Sequence, residues 1–212
     1  MSNENLQPVK RVIVYIDGYN LYYGLRQEYN SKYKWLDLQA LAESFIADNM
    51  ELSAVKYFTA ITKNNSDTKN RQAIYLKALE VECDKLKIIK GRFLSKIKTC
   101  RSCRTTYQTY EEKKTDVNIA CHIVNDAYQG LCDVIYIVSG DSDLVPPVEI
   151  LKVNHPDIKI IIANPPKRKS SELCSKGDSW FTIGKQKLKL SQLPNNIQTN
   201  SGAVLNCPDQ WK

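Results

Sequence analysis

With 212 residues, 42% of them hydrophobic and 25% charged, the chain is long enough for one well-packed α/β domain and has the balance of a folded globular protein. No stretch approaches the roughly 18 apolar residues of a membrane span, and the polar start, residues 1–8, lacks the apolar core of a secretory signal, so a cytoplasmic protein with no membrane partner is expected. Lys and Arg total 30 against 23 Asp and Glu, a net charge of +7, which makes a polyanion the natural partner.

Strand-like and helical segments alternate along the chain. A run of β-formers over residues 11–16 stops at Asp17-Gly18, and a short helix follows from Asn20. A helix is expected over 36–46, a strand over 54–61, a helix over 71–83 and a strand over 86–94. Residues 95–114 read as a polar, cysteine-bearing insertion. The spacing then predicts a helix over 115–128 with Thr115 as its N-cap, a strand over 133–138, a helix over 144–152 with Pro146 near its start, a strand over 157–163 and a short helix over 170–174. This order predicts a single α/β, Rossmann-like domain over residues 10–185, with a central, mostly parallel sheet flanked by helices. Residues 1–9 form an extension, and 186–212 read as a polar tail, mobile from Asn195 onward.

Four acids fall where predicted strands end or helices begin: Asp17, Asp116, Asp141 and Asp143. Open α/β sheets place their ligand crevice at those ends. Any one of these acids alone reads as a helix cap or turn former. Three separate positions favour a shared site, and Asp17 is not needed as a cap for the segment after it. Carboxylates that converge repel one another unless a hard cation joins them, and an all-oxygen ligand set suits Mg²⁺ or Mn²⁺.

Seven cysteines, an odd number, argue against a disulfide framework. Cys83, Cys121, Cys132 and Cys174 lie in or beside apolar runs and read as small core residues. Cys100 and Cys103 have zinc-knuckle spacing, but no second pair follows, so no structural zinc is expected. Around them the insertion combines cations and rings, and Lys98, Arg101, Arg104, Tyr107, Tyr110, Lys113 and Lys114 are the expected nucleic-acid contacts. Lys167-Arg168-Lys169 is a further basic candidate, and Tyr19 could stack on a base, whereas Tyr22 and Tyr23 read more simply as core. His122 and His155, the only histidines, lie in a helix and before a proline, which gives little support to a paired-histidine mechanism.

The segments Tyr15-Ile16-Asp17-Gly18-Tyr19-Asn20, Lys113-Lys114-Thr115-Asp116-Val117-Asn118 and Ser139-Gly140-Asp141-Ser142-Asp143-Leu144, in this order and at domain-scale spacing, resemble the NYN domain family. The resemblance is greatest to its bacterial LabA-like branch, which is related to the PIN-domain nucleases, and it spans roughly residues 10 to 185, the size of a typical domain. It implies a PIN-like fold and a Mg²⁺- or Mn²⁺-dependent ribonuclease. Asp17, Asp116, Asp141 and Asp143 would be the metal ligands and catalytic acids, with Asn20 a neighbouring polar contact or a helix cap. Ser139, Ser142 and Thr115 would orient carboxylates or cap helices. The expected reaction is hydrolysis of single-stranded RNA to a 5′-phosphate and a 3′-hydroxyl. A non-catalytic RNA-binding regulator of the same fold, and below it a metal-dependent phosphatase, are the alternatives, and a homodimer is an open oligomeric state.

Overall fold

Val12, Val14 and Ile16 point to one face of the first strand, β1 (Lys10–Asp17), and Ile13 and Tyr15 to the other, and all five are buried. A strand apolar on both faces belongs in the middle of a parallel sheet covered on both sides. The computed structural model describes residues 8–30, 32–61 and 66–211, with only the backbone given for 109–112. In it β1 pairs in parallel with β2 (Met50–Thr59) on one side and with β6 (Val134–Val138) on the other. β3 (Leu86–Lys90) extends the sheet beyond β2, and β7 (Lys159–Asn164) and β8 (Ser179–Thr182) extend it beyond β6, giving the order β3-β2-β1-β6-β7-β8 with every pairing parallel.

Side chains alternate across each strand, so β1 feeds two cores. Val12, Val14 and Ile16 join Leu21 and Leu25 of α1 (Gly18–Tyr29), Leu41 of α2 (Leu38–Glu43) and Leu76 and Leu79 of α3 (Ser66–Glu82). Ile13 and Tyr15 join Ile119 and Ile123 of α4 (Thr115–Tyr128), Val148 and Leu151 of α5 (Val145–Asn154) and Leu173 of α6 (Ser171–Lys176). Between β1, β2 and α4 a buried polar group interrupts the second core. Lys56 Nζ lies 2.5 Å from Asp126 Oδ2, which also accepts the Tyr15 hydroxyl at 2.6 Å, and His122 Nδ1 is 3.4 Å from the same amine.

The structure departs most from the sequence reading in three segments, and it adds β8, a strand that reading does not contain. The strand expected over 86–94 is two strands, β3 and β4 (Arg92–Thr99), broken at Gly91. A Cβ at Gly91 would sit 2.6 Å from Thr115 Oγ1, so the chain turns there beneath the start of α4. The expected insertion is the rest of an antiparallel hairpin, in which β4 pairs with β5 (Thr106–Lys113) from Arg92↔Lys113 at its base to Thr99↔Thr106 at its tip, as a sheet of its own.

The third departure is the expected tail. Residues 185–211 carry α7 (Lys185–Leu190), a hairpin of β9 (Asn196–Gln198) and β10 (Val204–Asn206), and a final 3₁₀ turn, η2 (Asp209–Trp211). Leu188, Leu193, Ile197 and Cys207 are buried in the α1 side of the core, and the Trp211 ring lies 5.8 Å from Tyr75 and 6.4 Å from Trp35. These apolar residues are too widely spaced to show a local period, yet each meets a partner distant in sequence. Cys121 is also corrected, since it is exposed, whereas Cys83, Cys132 and Cys174 are buried.

Candidate active site at the carboxyl edge of the sheet

Successive connections leave β1 toward β2 and leave β6 toward β7, in opposite directions. The chain therefore opens a crevice beyond the carboxyl ends of β1 and β6, the topological switch point of the sheet. Asp17 is the last residue of β1, and Ser139-Gly140-Asp141 follows directly on β6.

Asp17 is the N-cap of α1 after all, because the helix starts at Gly18, immediately behind it. Its Oδ1 accepts the amides of Tyr19 and Asn20, each at 3.0 Å, and its Oδ2 accepts Asn20 Nδ2 at 2.6 Å and Ser139 Oγ at 2.9 Å. Burial pushes its pKa above the usual carboxylate value, and so does the charge of Asp141, while the donors from Asn20 and Ser139 work the other way. Asn20 is no cap. Besides holding Asp17, its Oδ1 accepts the Gly140 amide at 3.3 Å, so one side chain ties β1 to the loop after β6. Ser139 Oγ in turn accepts the Asp141 amide at 3.1 Å.

Asp141 caps a short 3₁₀ turn, η1 (Ser142–Leu144), by accepting the Asp143 amide at 3.0 Å. Gly140 carries no side chain because a Cβ there would meet Arg168 O at 2.4 Å, which lets the loop after β7 close over this strand end. In that loop Lys167 pairs with Glu28 at 3.4 Å and Arg168 lies over the Tyr23 ring, so both basic residues border α1.

Asp116 arrives from a third direction, in the first turn of α4. Thr115 is the first helical residue and not the cap. The cap position is Lys114, left-handed at φ 81° and without a capping side-chain bond. Burial raises the Asp116 carboxyl to about 6, helped by the charges of Asp17, Asp141 and Asp143.

Carboxylate oxygens of Asp17, Asp116 and Asp141 lie within 4.8 Å of one another, the one such acidic, histidine or cysteine group among the described residues. Asp143 stands outside it. Its side chain is exposed, its amide serves Asp141, and it reaches the group only through its charge on Asp116. Three converging oxygens of hard character form a donor set that fits a hard divalent cation.

The expected nucleic-acid contacts divide by position on the hairpin. Lys113 and Lys114 are exposed at its base, next to Asp116. Lys98 pairs with Tyr107 near the tip, where Arg101 and Arg104 flank the turn, and all four are exposed. The seven residues from Tyr107 to Lys113 along β5 span about 20 Å. The side chain of Tyr110 lies outside the described residues. At the tip, hydrogen bonds from Thr105 and Cys100 lower the exposed Cys103 thiol to about 7. Of the expected core tyrosines, Tyr23 is exposed and Tyr22 half-buried, on the same side of α1 as Tyr19. The two histidines stand among different neighbours, His122 against Phe58 and His155 against Tyr128. Among the described residues no helix is long and apolar enough to cross a membrane.

A family profile described as the NYN domain matches residues 11–184. The chain is 30% identical to 6-hydroxy-3-succinoylpyridine 3-monooxygenase of Pseudomonas putida, over 95% of this chain and 75% of that protein. Its fold is similar to that of a protein of unknown function from Vibrio parahaemolyticus, with a TM-score of 0.56 at 20% identity, covering 87% of this chain and 98% of that one.

Proposed function

Because the chain belongs to the NYN domain family, whose fold carries a nuclease-like function, we propose that its acidic crevice hydrolyses phosphodiester bonds of RNA, single-stranded RNA above all, with Mg²⁺ or Mn²⁺. The observation that carries this reading is the convergence of Asp17, Asp116 and Asp141 oxygens within 4.8 Å at the switch point of the sheet. Asp17, Asp116 and Asp141 would hold the cation, and Asp143 would add charge at the rim. When bound, such a cation supplies Lewis acidity to a phosphoryl oxygen and acidifies water.

The remaining work falls to the chain itself. Asn20 and Ser139 keep the Asp17 carboxylate from rotating, because each of its oxygens accepts two hydrogen bonds. The Asp116 carboxyl, which titrates near 6 in the metal-free protein, is an anion at neutral pH and can accept a proton or a cation. Lys113 and Lys114 stand at the mouth of the crevice, where phosphate charge needs to be met. The exposed cations and Tyr107 of the hairpin extend that basic track away from the acids.

The test is incubation of the purified protein with end-labelled single-stranded RNA and Mg²⁺ or Mn²⁺, beside an EDTA control and Asp141→Asn. Cleavage that disappears in both controls supports hydrolysis by this site. Tight RNA binding without cleavage in any metal sinks it and promotes the non-catalytic RNA-binding reading.

A second reading is favoured by the Pseudomonas relative, whose name describes a monooxygenase acting on a succinoylpyridine. Consumption of that pyridine by this protein in the presence of dioxygen and a two-electron reductant, followed by chromatography, tests it directly.

A further inference from the structure

Beside the acids, on the α1 side of the sheet, lies a cavity of about 760 Å³, within the range of small-ligand sites. Gly18 and Tyr19 connect it to the crevice, since they line it directly after Asp17, and the Tyr19 amide bonds the Asp17 carboxylate at 3.0 Å. Three cations, Arg26, Lys34 and Arg71, reach its wall, and no acidic residue does so among the described ones. Burial first, and then the charges of Arg26 and Arg71, lower the Lys34 amine to about 8, so the three cations feel one another across this wall.

The other walls are aromatic. Lys34 Nζ sits 3.9 Å from the centre of the Tyr22 ring, and Tyr75 and Trp211 meet edge to face at 5.8 Å. Rings offer a flat base a stacking surface that does not depend on its identity. Guanidinium and ammonium groups at one end offer an anion two different geometries of contact.

We propose that this cavity is a nucleotide subsite, in which an unstacked base lies among Tyr22, Tyr75 and Trp211 and its phosphate meets Lys34 and Arg71. The choice of a nucleotide among anionic aromatic ligands rests on the phosphodiester reading above. The cavity itself does not, because its residues are distinct from the three acids.

Titration of the whole protein in EDTA, followed by tryptophan fluorescence, separates the two. The ligands are 5′-AMP, adenosine, inorganic phosphate and nicotinate. The expected result is that 5′-AMP binds about tenfold more tightly than adenosine or phosphate, and that Arg71→Gln and Lys34→Gln each weaken it about tenfold. Thermal melts identify a variant that has failed to fold, and Arg71, at the cavity wall on α3, remains informative if the buried Lys34 does not tolerate change. Binding of 5′-AMP no tighter than adenosine or phosphate, or unaltered in both folded variants, overturns the subsite. Tighter binding of nicotinate than of 5′-AMP also overturns it, in favour of a small aromatic acid. A protein that binds 5′-AMP as described but leaves RNA intact keeps the subsite and loses the hydrolytic reading, and cleavage without 5′-AMP binding does the reverse.

Discussion

Asp116 is the residue on which the charge state of the crevice turns. Its carboxyl titrates near 6 when folded, above its ordinary value of 3.8, because of burial and three neighbouring acids. A group raised in this way binds more protons folded than unfolded between those two values, so its stabilising contribution is present at low pH and is lost as pH rises through about 6. In EDTA, Asp116→Asn is therefore expected to raise the melting temperature at pH 7.5 but not at pH 4, and Mg²⁺ or Mn²⁺ is expected to raise that of the wild type at pH 7.5 only. Equal effects at both pH values in thermal denaturation would contradict the shared acidic group. The sequence marked the three acids that the fold brings together, with Asp143 beside them, but not how they divide. Asp17 doubles as a cap because α1 begins on a glycine, which hides a helix start, and Asp143 looked equivalent to Asp141 although the turn between them spends the Asp143 amide on its neighbour. Asn20 carried the motif, but its bond to Gly140 across 120 residues had no local signal.

Asp126 presents the opposite case, a charge matched inside the core. It lies 2.5 Å from Lys56 and accepts the Tyr15 hydroxyl, with almost none of its surface in water. Removing one partner of a buried pair leaves the other charge uncompensated, so Asp126→Asn is expected to cost about 3 to 5 kcal/mol in chemical denaturation, while leaving the acidic crevice assembled. No period or motif marks this pair, because its members lie on β2 and α4 and meet only once the sheet is covered.

At the scale of elements, the β4–β5 hairpin is the least supported part of the fold. It makes its own two-stranded sheet, and Leu94, Ile97 and Tyr107 on it are exposed. A two-stranded ribbon with no core beneath it is marginal in water. Its amides are accordingly expected to exchange with solvent hydrogen much faster than those of β1 and β6 in the free protein, and to gain protection when single-stranded RNA is added. Protection unchanged by RNA would remove the hairpin from the substrate track. The hairpin was not legible as strands because its turn, Cys100 to Arg104, contains no glycine or Asn-Gly pair, and the left-handed residue is Arg104 at φ 55°. The helix α4, by contrast, was read at its observed bounds, Thr115–Tyr128, since its apolar residues recur with helical spacing.

The whole molecule is a sheet whose middle strands were plain from their unbroken apolar runs, closed by a C-terminal segment that was not. Trp211, at the end of that segment, packs on Tyr75 and Trp35 and also lines the cavity. Trp211→Ala is expected to lower stability by about 1 to 2 kcal/mol, since it loses two ring contacts at a partly exposed site, and urea denaturation would measure it. The alternation of strands and helices sufficed for the parallel α/β architecture. The closing segment escaped because Leu193, Ile197 and Trp211 act through contacts with residues far earlier in the chain, which a reading by local period does not register.

Two of the three converging acids are rooted in neighbouring strands, Asp17 at the end of β1 and Asp141 just past β6, and Asn20 bolts those strand ends together. Asp116 alone hangs from the foot of the hairpin, joined to it through the left-handed Lys114. The gap between Asp116 and the other two is thus the side of the crevice that the hairpin borders. From that foot the hairpin reaches out about 20 Å, so the third of the converging acids is the one set at the base of an arm.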